Sequence, residues 1–181
     1  IAVATLPTAL MGLLIKWKLS FVYESISWVL VFLSVTAVFL FLSDFIRSKE
    51  KRVEDLSWLA VLAVGCAQGF AVFPGISRSG ATIVAALLVG LARQDAGRFS
   101  FFIGLPAMVG AAILEFKDVS FTVDLPLVLN ATVAFLLSFI VALFSIRFLF
   151  FILKKAQFKM FSIYLVVLVL AALILRNVLS I

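Results

Sequence analysis

The chain has 181 residues, 65% of them hydrophobic and 13% charged, and its mean hydropathy of +1.29 is that of an integral membrane protein. The formal net charge of +6 would suggest nucleic-acid binding in a soluble protein, but the basic residues gather in short segments between apolar runs, so that function is not supported. Cys66 is the only cysteine and histidine is absent, which excludes an intrachain disulfide and a histidine-ligated metal in this chain.

The apolar runs predict an all-α polytopic membrane bundle that forms one domain over residues 1–181. A first helix is predicted at residues 1–15, where Pro7 would kink it and where we expect the beginning to be missing. A transmembrane helix needs about 20 apolar residues. Runs of that order predict full spans at residues 27–46, 99–116, 127–153 and 161–179.

Two shorter apolar helices are predicted between the first and second of these spans, at residues 56–73 and 81–92. The second would be about 18 Å long at 1.5 Å per residue, too short for a hydrocarbon core of about 30 Å. The pair therefore predicts a re-entrant hairpin over about residues 56–92. Cys66, within it, is interpreted as a small buried residue. Because broken helices are tolerated at membrane depth only beside protein or a water-filled cavity, a cavity is predicted at the tip.

The charges orient this bundle. Basic residues at 47–52 and 93–98 predict cytoplasmic loops, and the acidic segment 115–124 suits the outer face. The tip of the hairpin should then open toward the outside. Lys16 and Lys18 would also lie outside, as a modest exception to the rule.

The predicted tip carries the densest polar cluster inside an apolar region, the sequence FPGISRSGAT at residues 73–82. Pro74 and Gly75 should end the first helix, and a second should start near Ser77. Free backbone N–H groups and a positive dipole at that helix start, next to Arg78, predict a phosphate-binding site. The structural alternative is close helix packing by small residues, with an arginine that pairs with a carboxylate or reaches the interface. The clustering favours the functional interpretation.

Phosphoryl transfer needs neutralisation of the phosphoryl oxygens, an in-line nucleophile and help for the leaving group. Arg78 can bind two oxygens at once, and it heads the predicted catalytic residues. No carboxylate or histidine lies in the motif, so a base must come from elsewhere, and no metal ligand is predicted. The other candidates are catalytic Ser77, Ser79 and Thr82 and substrate-binding Gly75, Gly80 and Gln68.

The motif resembles the PGxSRSxxT signature of the undecaprenyl-diphosphate phosphatase family, the bacitracin-resistance membrane phosphatases. The resemblance extends through GCAQG at residues 65–69, RFSF at 98–101 and LPAM at 105–108, and it covers the whole chain. It implies an enzyme of the bacterial inner membrane that hydrolyses undecaprenyl diphosphate to undecaprenyl phosphate and inorganic phosphate. That reaction recycles the lipid carrier for cell-wall synthesis and confers bacitracin resistance.

The family also carries a first motif of the form EGxTEFxPxSSxGH, which has no direct match here. Residues 68–80 look like its second copy, so the resemblance implies an N-terminally truncated chain that forms the larger part of an inverted-repeat fold. The missing motif would supply acidic residues, a histidine and the ligands of a divalent cation, Mg or Ca. The chain alone is therefore expected to be inactive. The resemblance is compatible with an oligomer and does not decide the oligomeric state.

A transporter or lipid flippase remains the alternative from another class, because carriers also bind anionic substrates at broken helices near the bilayer midplane.

Overall fold

The computed structural model describes residues 1–18, 22, 25–47, 50–116, 125–155 and 158–179. Within them the chain forms helices throughout, and the only β pairing is one isolated bridge, so the predicted all-α bundle is confirmed. A 3₁₀ turn lies at Val53–Asp55. The α-helices are α1 (Ala2–Lys18), α2 (Ile26–Ser43), α3 (Trp58–Phe70), α4 (Arg78–Leu88), α5 (Arg93–Phe116), α6 (Leu125–Lys155) and α7 (Phe158–Leu179).

Helices α2, α5, α6 and α7 are long and apolar enough to cross a membrane, which confirms the predicted spans. Helix α5 begins at Arg93 instead of residue 99, and α1 continues through Pro7. Parts of the acidic and basic segments, at residues 117–124 and 48–49, lie outside the described residues. The four candidate spans are Ile26–Ser43, Arg93–Leu114, Leu125–Ile152 and Phe158–Val178.

Helices α3 and α4 pack on each other as a hairpin, but α3 ends at Phe70 instead of residue 73, and α4 covers Arg78–Leu88 instead of residues 81–92. They have 13 and 11 residues, or about 20 and 17 Å, so neither can cross the bilayer alone. The base of the hairpin is closed by a bridge in which the Lys51 amide donates to the carbonyl of Gly90 and the Ala92 amide donates to that of Lys51. The segment before α3 and the segment after α4 therefore lie side by side, as a re-entrant element requires.

The tip of the hairpin lies against the N-terminal half of α2, between its first turn and its middle. A Cβ atom placed on Gly75 would lie 2.5 Å from the carbonyl oxygen of Val29, and the Gly75 carbonyl accepts a hydrogen bond from Thr36. The contacts run from the first turn of α2, at Val29, to its middle, at Thr36. On the other side of the hairpin, the buried Gln68 reaches the backbone of Ile103 in the interior of α5. The tip thus lies near the middle of the bundle rather than at either end.

Close packing of α3 on α1 explains which face of α3 is buried. A Cβ atom on Gly65 would come within 2.4 Å of the Ala4 carbonyl oxygen, so only glycine fits there. Gly69, one turn later, lies against Pro7 and Met11. With these glycines turned toward α1, the adjacent Cys66 is exposed, and its interpretation as a buried residue is wrong.

Arg93 joins several elements at the base of the bundle. Its Nη2 atom lies 3.2–3.3 Å from three carbonyl oxygens at the end of α2, those of Ser43, Asp44 and Ile46. A cation is favourable at the negative end of a helix dipole. The Asp44 carboxylate accepts hydrogen bonds from the first two amides of α7, those of Phe158 and Lys159. The start of α5, the end of α2 and the start of α7 are therefore held together.

We predict that Gly75→Ala lowers the free energy of unfolding by about 2 kcal/mol or more, because Gly75 has φ +97° and its Cβ would clash with α2. The matched control is Gly110→Ala in α5, where no atom lies within 4 Å of an added Cβ and alanine stabilises the helix by up to about 1 kcal/mol. Thermal unfolding of detergent-purified protein measures both. Equal melting temperatures for the two variants would contradict the described tip.

Candidate functional site

The Pro-Gly turn and the start of α4 build the site as the sequence predicts. Helix α3 ends at Phe70, and the turn closes with the Ile76 amide donating to the Phe73 carbonyl at 3.1 Å. Ser77 is the N-cap of α4, and its side-chain oxygen accepts a hydrogen bond from the Gly80 amide at 3.1 Å. The predicted start of the second helix near Ser77 is confirmed.

Thr36 supports this turn from α2, and no feature of the sequence singled it out. Its hydroxyl donates to the Gly75 carbonyl at 2.9 Å and accepts from the Ser77 amide at 3.2 Å. Its side chain is 3% exposed. One buried hydroxyl therefore satisfies two backbone groups that the break in the helix leaves free. A lone threonine in an apolar span carries no signal of this role.

Arg78 is the first residue of α4 and is half-buried. Its Nη1 atom is buried and has no hydrogen-bond partner among the described residues. Cations are favoured at the C-terminal ends of helices, so a guanidinium at the N-terminal end adds positive charge to positive charge. An anion bound there would compensate both positive charges. A phosphate fits, because it can accept from the guanidinium and from the free amides of the first helical turn.

The remaining residues of the motif divide between an open and a buried side. Ser79 is exposed, beside Arg78 at the start of the helix. Thr82 is fully buried, and its hydroxyl contacts the Arg78 carbonyl at 2.8 Å and the Ser100 hydroxyl of α5. Thr82 thereby attaches the first turn of α4 to α5, which makes it a positioning residue for Arg78. A direct catalytic contact from Thr82 stays a prediction.

Gln68 lies elsewhere in the bundle. It is fully buried between α1 and α5, where its Nε2 atom donates to Thr8 Oγ1 at 2.9 Å and to the Ile103 carbonyl at 3.3 Å. Its Oε1 atom has no partner among the described residues. The structure thus brings Gly75, Ser77, Arg78, Ser79 and Gly80 together at one helix start, with Thr82 one turn beyond. It gives Gln68 contacts to α1 and α5 instead, and its substrate-binding role stays a prediction.

The tip does not fit a divalent cation. Hydroxyls, amides and a guanidinium line it, whereas Mg²⁺ and Ca²⁺ take carboxylate and carbonyl oxygens. Across the described ranges, no three residues among His, Cys, Asp and Glu cluster as metal ligands would. Asp55 is hydrogen-bonded to the Arg52 amide, and Asp95 is paired with Arg98 at 3.9 Å, both near the base of the hairpin.

The fold and the site together define a class: a multi-pass membrane protein in which a broken helix starts with an arginine that has a buried, unpartnered donor atom among the described residues. Residues 1–171 match the family described as Bacitracin resistance protein BacA, and the chain belongs to that family.

Similar curated proteins are named undecaprenyl-diphosphatase. The protein from Methanosphaera stadtmanae is 37% identical over 179 residues, covering 99% of this chain and 64% of its own length. The one from Alkaliphilus metalliredigens is 37% identical over 165 residues, covering 91% and 60%. The one from Methanococcus maripaludis strain C5 is 39% identical over 124 residues, covering 68% and 50%. The chain thus spans between half and two thirds of these relatives.

We predict that Thr36→Val destabilises the tip, because it leaves the Gly75 carbonyl and the Ser77 amide without a partner at about 1–3 kcal/mol for each group. Thr36→Ser keeps the hydroxyl and serves as the matched control. Melting temperatures of the purified variants provide the measurement. A valine variant as stable as the serine variant would show that the hydroxyl does not support the turn.

Proposed function

We propose that the protein hydrolyses undecaprenyl diphosphate to undecaprenyl phosphate and inorganic phosphate. Water is consumed and the phosphoric anhydride bond breaks, so the lipid carrier is returned for cell-wall synthesis in the bacterial cell membrane, with bacitracin resistance as a consequence. The observation that carries the proposal is the buried, unpartnered Nη1 of Arg78 at the start of α4. The names of the relatives support it independently.

Arg78 stabilises charge in this proposal. A guanidinium can donate hydrogen bonds to two phosphoryl oxygens in the ground state and keep them in the transition state, where charge shifts onto the bridging oxygen. The amides of Arg78 and Ser79 point out of the helix start and can bind a third oxygen. Because these donors are held by the cap at Ser77 and by Thr82, they need little reorganisation during the reaction.

Proton transfer needs groups that the tip lacks. Ser77 Oγ already accepts the Gly80 amide, so the exposed Ser79 hydroxyl is the freer of the two serines. A serine nucleophile requires an adjacent base, and residues 71–82 contain no carboxylate or histidine. We propose that the base and most ligands of a divalent cation come from outside this chain. The transporter alternative uses the same broken helix, but the names of the relatives do not favour it.

We predict that Arg78→Lys lowers kcat by about 10²–10³ while the protein folds normally, because lysine replaces a planar fork by a point charge. Arg78→Ala should lose at least as much. The measurement is phosphate release from undecaprenyl diphosphate by the purified full-length protein, alongside melting temperatures. Near wild-type rates in both variants, or losses that only track instability, would contradict the role of Arg78. No phosphate release by the unmodified protein would contradict the proposed hydrolysis itself.

Asp55→Asn and Asp95→Asn should leave the divalent-cation dependence of that activity unchanged, because both residues lie near the base of the hairpin and not at its tip. Titration of Mg²⁺ or Ca²⁺ against hydrolysis measures this. If either variant raised the half-saturating cation concentration tenfold or more, a loss of binding free energy on the order of 1.4 kcal/mol, that carboxylate would belong to the metal site.

A further inference from the structure

A cavity of about 300 Å³ lies beside the tip, between α2 and α7. Its volume is at the lower end of the range of about 300–1,000 Å³ that ligand pockets occupy. It shares Thr36, Gly75 and Ser77 with the site described above. Its other lining residues are Leu33, Leu40, Ile76, Phe161, Tyr164 and Leu165.

The polar groups of the cavity already have partners within the protein. The Thr36 hydroxyl serves the Gly75 carbonyl and the Ser77 amide, and Ser77 Oγ accepts from the Gly80 amide. The remaining walls are aliphatic or aromatic apart from the Tyr164 hydroxyl. A polar molecule in the cavity would give up its hydrogen bonds to water and gain few from the cavity wall. The cavity therefore fits an apolar molecule.

The cavity opens at the side of the bundle. Tyr164 is 61% exposed, and Phe161 and Leu165 are half-buried. These α7 residues lie near the central part of α2, because the neighbouring Ser162 donates to the Ala37 carbonyl at 2.7 Å. In the described part of the chain, the opening therefore lies beside the middle of α2, which is a candidate membrane span.

Ser77 belongs both to the cavity wall and to the helix start that Arg78 begins. A molecule with an anionic head and an apolar tail can therefore occupy both at once. A phospholipid does not meet this condition. Its phosphate stays at the membrane surface, so its acyl chain could enter the cavity while the anion site at Arg78 stayed empty. A lipid whose head enters the tip would bring its first carbons to this cavity.

We propose that the cavity holds the part of the polyprenyl chain next to the diphosphate, with Tyr164 at its mouth. The proposal rests on the proposed function and adds a location for the apolar part of the substrate. Leu33, Phe161 and Leu165 are then residues that determine affinity for the chain, whereas Arg78 determines the rate.

Leu165→Trp tests this by filling the cavity. The expected result is a rise of about tenfold or more in KM for undecaprenyl diphosphate with little change in kcat, the range in which apolar pockets discriminate. Leu168→Trp is the matched control, on the same helix, 40% exposed and outside the lining. An unchanged KM, or the same rise in both variants, would overturn the proposal.

Photo-crosslinking tests the unmodified protein and does not depend on how the tryptophan variant folds. The probe is a prenyl diphosphate with a diazirine in its first isoprene unit. Adducts should form on Leu33, Phe161 or Leu165, and unlabelled prenyl diphosphate should suppress them while phospholipid does not. Adducts mainly on exposed α6 residues such as Phe135, or suppression by phospholipid alone, would overturn the proposal.

The two proposals fail in distinguishable ways. Absence of hydrolysis by the unmodified full-length protein would remove the proposed function, while cavity adducts would still establish a prenyl site. Hydrolysis that depends on Arg78 together with adducts elsewhere would remove only the cavity proposal.

Discussion

The paired hydrogen bonds of Thr36 are the interaction on which the rest of the site depends. A helix that breaks at membrane depth frees backbone groups that water cannot satisfy there, and each unpaired group costs on the order of 1–3 kcal/mol. The Thr36 hydroxyl serves one carbonyl and one amide of the turn, and Ser77 serves a third group. These bonds also fix the height of the tip along α2, so the position of α2 decides where in the bilayer an anion would bind.

Two arginines at helix ends show how the same side chain takes opposite roles. Arg93 lies at the C-terminal end of α2, where carbonyl oxygens and Asp44 surround it and the helix dipole favours its charge. Arg78 lies at the N-terminal end of α4, where the dipole opposes its charge and Nη1 has no partner in the described part of the chain. Arg93 Nη1 is also buried without a hydrogen-bond partner among the described residues, but it lies 3.9 Å from the Asp44 carboxylate, so a charge within the chain compensates it. Arg78 has no ion pair in the described part of the chain, so an anion would supply the missing counter-charge, which is why Arg78 and not Arg93 carries the proposed function.

Local rules were enough to predict the hairpin, because proline, glycine and an N-cap serine act within a few residues and helix length follows from the apolar runs. Contacts between distant segments could not be predicted in this way. Thr36 and Ser100 become informative only when α2 and α5 are placed against the motif. Cys66 is exposed because its glycine neighbours pack on α1, a choice of helix face that the nearly uniform hydrophobicity of α3 does not reveal.

The distribution of exposure around α4 indicates the direction from which a base and a cation would approach. Gly80 and Thr82 are buried, so these sides of the helix start are closed, and the side of Gly75 and Ser77 faces the cavity between α2 and α7. Ser79 is exposed, and the Arg78 guanidinium has an unsatisfied donor beside it. The phosphate in the proposed reaction would then be held between the helix start and whatever faces Ser79. This chain would then supply the hydrogen-bond donors for the phosphate, and carboxylates brought to the side of Ser79 would supply the base and hold the cation that the proposed reaction still requires.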